Sequence, residues 1–133
     1  MSKLNHPNIV KLHGLSLEPH VRMVLEFCPL PDLYKTNKSR QKGVVKFSEK
    51  LKLKLGLDIC SALSFLQGIS PPIVHRDLRS PNIFVTSLDE NSTCNAKVGG
   101  KNFNFFVKNF SFLKFSSFLT KQILDLQDPS AKN

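Results

Sequence analysis

The chain has 133 residues, the length of one small domain, and its 41% apolar and 22% charged residues exclude fibrous and wholly disordered classes. A net charge of +9 would suit a nucleic-acid or membrane-surface partner, but Lys50, Lys52 and Lys54 alternate with apolar residues. No platform of basic and stacking aromatic residues occurs before residue 99, so a solvated basic face is the preferred reading and no nucleic-acid partner is expected. Cys28, Cys60 and Cys94 are odd in number, far apart and without C-x-x-C spacing, which argues against a disulfide framework and a zinc site. Residues 1–13 are polar and interrupted by Pro7, with no apolar stretch of signal-peptide type, so a reducing, cytoplasmic setting is the expectation.

In chain order, the first extended element is Val21 to Phe27, a β-prone run that ends in Glu26-Phe27-Cys28. Ser48 to Gln67 is the longest helical candidate, with Ser48 as N-cap and Gly68 as the C-terminal stop. Its front half is ambiguous. Leu51, Leu53, Leu55 and Leu57 alternate with period two, whereas Leu55, Ile59, Leu63 and Leu66 recur at three and four residues, and twenty positions without a turn residue favour helix. Pro71-Pro72 breaks this helix and leads to three short apolar runs: Ile73-Val74, Ile83 to Val85, and Ala96 to Val98 after a polar turn at 87–95.

Between the first two of these runs lies His75-Arg76-Asp77-Leu78-Arg79-Ser80-Pro81-Asn82. The octapeptide resembles the catalytic loop of eukaryotic protein kinases, H-R-D-L-x-x-x-N. The spacing has a chemical reason: a carboxylate accepts the proton of a substrate hydroxyl, while an amide oxygen a few residues on holds a magnesium ion. Pro71 to Phe84 as a whole resembles the Roco-type kinases of the tyrosine-kinase-like group, whose substrates are mainly Ser and Thr. The resemblance implies Asp77 as general base, Asn82 as magnesium ligand and Arg79 as the residue that meets the transferred phosphoryl group, which an arginine does bidentately. By the same resemblance Arg76 answers a phosphorylated activation loop, and His75 packs internally rather than acting as a base.

The likeness extends over about residues 3–98. Leu4 to Leu12 resembles the family's passage from helix C into its fourth strand, with His6 structural, and Val21 to Phe27 its fifth strand running into the hinge. That alignment places Leu25 at the gatekeeper position, Glu26 and Cys28 on the adenine-facing hinge, Asp32 at a ribose contact and Phe84 beneath the adenine of ATP. Pro29-Leu30-Pro31 departs from the glycine usual before that aspartate, and a proline has no N–H to donate. The helical run at 48–67 becomes the family's helix E, central to its larger lobe and therefore apolar nearly all round. By the same resemblance the three apolar runs Ile73-Val74, Ile83 to Val85 and Ala96 to Val98 are strands.

Both ends of the likeness are abrupt. No Gly-rich loop, third-strand lysine or helix-C glutamate precedes it, and where the pattern calls for Asp-Phe-Gly the chain reads Gly99-Gly100-Lys101-Asn102. Residues 99–118 then hold seven of the eleven phenylalanines, and Phe, Asn and Lys fill 13 of those 20 positions, as translated A/T-rich DNA would. A retained intron accounts for this: Gly100-Lys101 can be encoded by a run containing a splice-donor-like GTAAA, and splicing there restores Val-Gly-Asp-Phe-Gly. Transcript reads across codon 100 that find no downstream Asp-Phe-Gly exon sink the idea. A rival reading makes Phe103 to Leu119 a membrane-surface or partner helix, with Phe103, Phe106, Phe110 and Leu113 on one face.

The expectation is an α+β, partial protein-kinase-like fold, incomplete at both ends: the family's fourth and fifth strands, hinge, helix E and catalytic-loop hairpins over 1–98, then an unrelated tail over 99–133. The implied function is that of a fragment of an ATP- and magnesium-dependent serine/threonine kinase acting on a protein substrate, inactive as this chain alone. The alternative is a non-catalytic, pseudokinase-like interaction protein. No transmembrane segment is expected.

Overall fold

The computed structural model describes residues 4–20 and 22–100. The readings made for residues 101–133 lie outside them. Six regular elements and one 3-10 turn follow in order: β1 (Leu12–Ser16), β2 (Arg22–Leu25), α1 (Leu33–Gln41), α2 (Glu49–Gly68), the turn Ser80–Asn82, β3 (Ile83–Val85) and β4 (Ala96–Val98). β1 and β2 form an antiparallel hairpin with Leu12 opposite Leu25 and Ser16 opposite Arg22, irregular between Leu12 and Gly14. β3 and β4 form a second antiparallel pair with Phe84 opposite Lys97. Two isolated bridges join these pieces: Ile9 runs parallel to Val98, and Asp32 pairs antiparallel with Phe84.

α2 organises the body. Ser48 accepts a hydrogen bond from the Leu51 amide at 3.0 Å, and Glu49 places a negative charge on the positive end of the helix dipole. Leu51, Leu55, Ile59, Ala62, Leu63 and Leu66 recur at helical spacing and are buried against Ile73, Ile83, Val85, Ala96 and Val98. Each Leu, Ile or Val side chain among them, removed from water, contributes about 1.5–3 kcal/mol before entropy is counted. The ambiguous leucine run divides accordingly: Leu51 and Leu55 are buried, while Leu53 (64% exposed) and Leu57 (67%) face water.

A polar row on the same helix fixes the 87–95 loop. Lys54 Nζ donates to the carbonyls of Glu90, at 3.0 Å, and Ser92. One turn on, Asp58 Oδ2 accepts from the amides of Asn95 and Ala96 at 2.7 and 2.9 Å. These bonds set where β4 begins, and therefore the position of the residues that follow it.

Three expectations need correction. Ile73-Val74 is not a strand: the Ile73 amide bonds to the Leu66 carbonyl at 2.9 Å, so the segment is tied to the end of α2. Only one hairpin, β3–β4, therefore flanks the octapeptide, not several. Gly68 is the last helical residue rather than the stop, and the chain turns extended at Ile69. α1 is an element the sequence pattern does not announce. Its composition is strongly polar and without an apolar stripe, and it is held by the Asp32 cap and by Leu33 and Thr36, which pack it towards β3 and Ser80–Asn82.

Candidate functional site

The octapeptide follows Ile73, which is tied to the end of α2, and leads into β3 at Ile83, so both of its flanks are anchored in the buried core. Within it the backbone reverses sharply. Arg76 has φ 62°, in the left-handed region that non-glycine residues seldom occupy, and the Asp77 amide bonds to the His75 carbonyl at 2.8 Å. The reversal turns Asp77 back towards Asn82. Asn82 Nδ2 donates to both the Asp77 carbonyl and Asp77 Oδ2, each at 2.8 Å, while the Asn82 amide bonds to the Arg79 carbonyl at 2.9 Å. The two residues singled out for their spacing are thus locked together by a side-chain clamp.

Geometry also assigns the oxygens. An amide that gives both N–H bonds to Asp77 turns its Oδ1 away from that carboxylate. Gly100 lies beside the same amide: a Cβ on it would come 3.3 Å from Asn82 Cγ and 3.4 Å from His75 Cε1. Asn82 Oδ1 is thus one oxygen suited to magnesium, while the polar atom of that amide nearest position 100 is Nδ2, 3.5 Å from a Cβ built there, and glycine brings no ligand of its own. Among the described residues no group of three or more His, Cys, Asp or Glu could hold a metal. Magnesium takes one or two protein oxygens plus phosphate and water, so the residues present fit half of such a site.

His75 lies under the loop, only 6% exposed, with Nε2 2.9 Å from the Gly99 carbonyl. Burial pushes its pKa below the usual 6.5, partly offset by the Gly99 carbonyl and by Asp77. The imidazole is therefore a neutral spacer between the octapeptide and the end of β4. Gly99 completes the contact. A Cβ there would come 2.8 Å from Phe84 Cε2 and 3.0 Å from Val10 Cγ2, so the ring of Phe84 packs directly on its backbone.

The remaining residues named from the sequence fall into two groups. Asp32 and Phe84 are brought into register by their bridge, which sets the segment after Cys28 against β3. The Asp32 carboxylate is already engaged in the fold, since Oδ1 caps α1 through the Lys35 amide at 2.9 Å and Oδ2 lies 3.4 Å from Lys35 Nζ. Arg79 is exposed at the entrance to the 3-10 turn. Leu25 is exposed on β2, and Cys28 is half-buried, its thiol pushed up by burial and by the nearby Glu26 carboxylate. Glu26 does not present its carboxylate to the Asp77 cluster. Its Oε1 lies 2.7 Å from Lys97 Nζ and its Oε2 accepts from the Lys11 amide at 3.1 Å. Burial opposes ionisation, yet the Lys97 and Lys11 contacts hold this carboxyl below its ordinary value.

Sequence reasoning missed the Lys97–Glu26 pair, the Asp58 clamp, and Asn8, which is buried and donates to the Ala96 carbonyl at 3.1 Å. All three join positions far apart in the chain. The available signal was generic, a polar or charged residue beside apolar ones.

Comparison with known proteins agrees with this geometry. The family model described as protein tyrosine and serine/threonine kinase matches residues 1–102. Two proteins of Dictyostelium discoideum, the probable serine/threonine-protein kinases qkgA and roco11, are 51% and 54% identical over 98 residues, 74% of this chain. The probable serine/threonine-protein kinase SIS8 of Arabidopsis thaliana is 37% identical over 86 residues, 64% of the chain. The chain spans only 6% of the length of the two Dictyostelium proteins and 8% of the plant one. A clamped Asp77–Asn82 pair inside a segment that the family model covers from end to end leaves one conclusion: the chain belongs to the protein tyrosine and serine/threonine kinase family, with Roco-type serine/threonine kinases among its relatives.

Proposed function

We propose that residues 4–100 are a segment of the catalytic unit of an ATP-dependent protein serine/threonine kinase, in which Asp77 accepts the proton of the substrate hydroxyl. The observation that carries this reading is the Asn82 amide held on the Asp77 carboxylate at 2.8 Å. A base oriented by a neighbour needs no reorganisation when a hydroxyl arrives, and positioning together with electrostatic stabilisation is nearly all that phosphoryl transfer asks of a protein. Asn82 Oδ1 would hold one magnesium ion. Arg79, exposed at the mouth of the turn, would steady the phosphoryl group with its planar fork. Leu25, Glu26 and Cys28 would line the adenine edge, the last two through backbone groups, with Phe84 beneath the ring and Asp32 towards the ribose. ATP and magnesium supply the transferable group and the charge neutralisation.

This chain alone is expected to transfer no phosphate. Gly100 lies beside the Asn82 amide but brings no carboxylate, and the residues that clamp the nucleotide phosphates in the family have no counterpart in the described segment.

A chimera separates the parts. Residues 4–99 are placed in the kinase domain of a Roco-type relative, which supplies the segments before and after, and ATP-dependent phosphorylation of a Ser/Thr peptide is measured. Activity is expected, and Asp77→Asn is expected to lower kcat by about 100-fold or more. A folded, ATP-binding chimera without activity, or one indifferent to Asp77→Asn, overturns the reading.

A further inference from the structure

α1 and the turn after it present a surface linked to the arrangement above through Lys35, which holds Asp32. Residues 33–48 carry Lys35, Lys38, Arg40, Lys42 and Lys46 and no Asp or Glu, so sixteen consecutive residues hold five positive charges of a chain whose net charge is +9. Leu33 and Thr36 are the buried side of the helix, packed towards β3 and Ser80–Asn82. Lys35, Lys38 and Lys42 recur at i, i+3 and i+7, on the opposite side, and all three are exposed. The charge therefore faces away from Asp77 and its neighbours rather than towards a peptide lying on them.

The end of α1 adds an apolar point. Gly43, at φ 74°, closes the helix by bonding its amide to the Arg40 carbonyl at 2.9 Å, and the Val44 amide reaches the Ser39 carbonyl at 3.0 Å. This is a Schellman closure, in which the residue at the Val44 position ordinarily folds back onto an apolar residue in the last turn. Here that turn offers Ser39 and Lys38. Val44 is 75% exposed, standing between Lys42 and Lys46. Tyr34, also exposed, carries Lys38 Nζ 4.8 Å from its ring centroid.

We propose that this face binds an anionic lipid surface, with Lys35, Lys38, Lys42 and Lys46 in the headgroup layer and Val44 entering the boundary between headgroups and acyl chains. Basic residues beside a bilayer containing acidic lipids are each attracted to its negative surface potential, and an exposed aliphatic tip adds the apolar part that a flat interface rewards. Nucleic acid fits less well. Single strands are held by bases stacked on aromatic faces, and the one exposed ring here, Tyr34, has a face covered by the Lys38 ammonium.

Vesicle flotation of the full chain tests this, with phosphatidylcholine vesicles that contain either no acidic lipid or about 30% phosphatidylserine. Binding is expected to the anionic vesicles alone and to weaken between about 0.1 and 0.5 M salt. Lys38→Glu with Lys42→Glu is expected to weaken it by about 30-fold, against about twofold for Arg22→Glu on β2, and Val44→Ser several-fold with the salt dependence kept. Far-UV circular dichroism confirms that the variants retain their helix. Equal binding to neutral vesicles, equal losses at Arg22 and Lys38, unchanged binding in the double variant, or tighter binding to duplex or single-stranded DNA at the same salt would each overturn it.

Discussion

The β1–β2 hairpin and the body built from α2, β3 and β4 are both rich in aliphatic side chains, but they are stabilised in different ways. β2 has no buried residue and β1 none, and Leu15, Met23, Val24 and Leu25 are all exposed. The body buries six α2 side chains against Ile73 and two strands. A two-stranded hairpin is marginal in water without a third strand or a helix on one face. What holds this one in place is polar: the Glu26 amide on the Lys11 carbonyl at 2.8 Å, the Lys11 amide on Glu26, and Lys97 on Glu26. The lesson is that apolar composition does not reveal where the stability lies. Contact across the chain decides that.

The sharpest break of the comparison is a matched pair of truncations. Leu55 is 1% exposed in the middle of α2 and Val24 is 59% exposed on β2. Leu55→Ala is expected to cost about 2–5 kcal/mol, because the removed methyl groups leave a cavity as well as losing their burial. Val24→Ala should stay within about 0.5 kcal/mol. Urea unfolding of both variants, followed by far-UV circular dichroism, reads the difference; equal losses would mean that the hairpin is packed after all.

Next in size is the clamp between α2 and the start of β4. Asp58→Ala leaves the amides of Asn95 and Ala96 without their acceptor, and both residues are buried, so a loss of about 1–3 kcal/mol is expected. Asp58→Asn keeps one oxygen and should recover part of it. Because β4 sets the position of Gly99, and through it of His75 and Phe84, the Ala variant is also expected to broaden the amide NMR signals of residues 75–82, an effect a purely local loss would not produce.

How much of this was legible in the sequence depended on range. The octapeptide is legible through its resemblance to the kinase catalytic loop, which a contiguous run of residues carries, and the clamp between Asp77 and Asn82 is equally local. The long helix is legible for the same reason, its caps and periodicity lying within one segment. The inward and outward leucines of α2 are not, since Leu51 and Leu53 differ only in what faces them from β4 and the 73–85 segment. Ile73-Val74 is a strand by the family resemblance, but a strand needs a neighbour, and the Ile73 amide bonds instead to the helix carbonyl of Leu66. α1 escapes for the opposite reason: its polar composition carries no periodic signal, and Asp32, read as a ligand contact, is also the cap that announces the helix.

The smallest effect, and the one most specific to the hairpin, comes from Lys97 and Glu26. Their side chains are 15% and 28% exposed, so the pair is only partly screened, and Lys97→Met should cost about 1 kcal/mol. That loss should be unevenly distributed: hydrogen exchange ought to quicken at the Glu26 and Leu12 amides while α2 stays protected. Acid should imitate the variant. The Glu26 carboxyl is held below its ordinary value of 4.5 in the folded chain, so the stability it contributes is complete above that value and is lost as the pH falls through the lower, folded one. His75 acts in the same direction at higher pH. Its folded pKa is depressed, the unfolded chain takes up the proton first, and stability begins to fall as the pH drops below the usual imidazole value of 6.5. Two acid-sensitive phases are thus expected, the upper one removed by a neutral residue at 75 and the lower one by Glu26→Gln. If Glu26→Gln leaves the lower phase intact, the hairpin is anchored by something other than this ion pair.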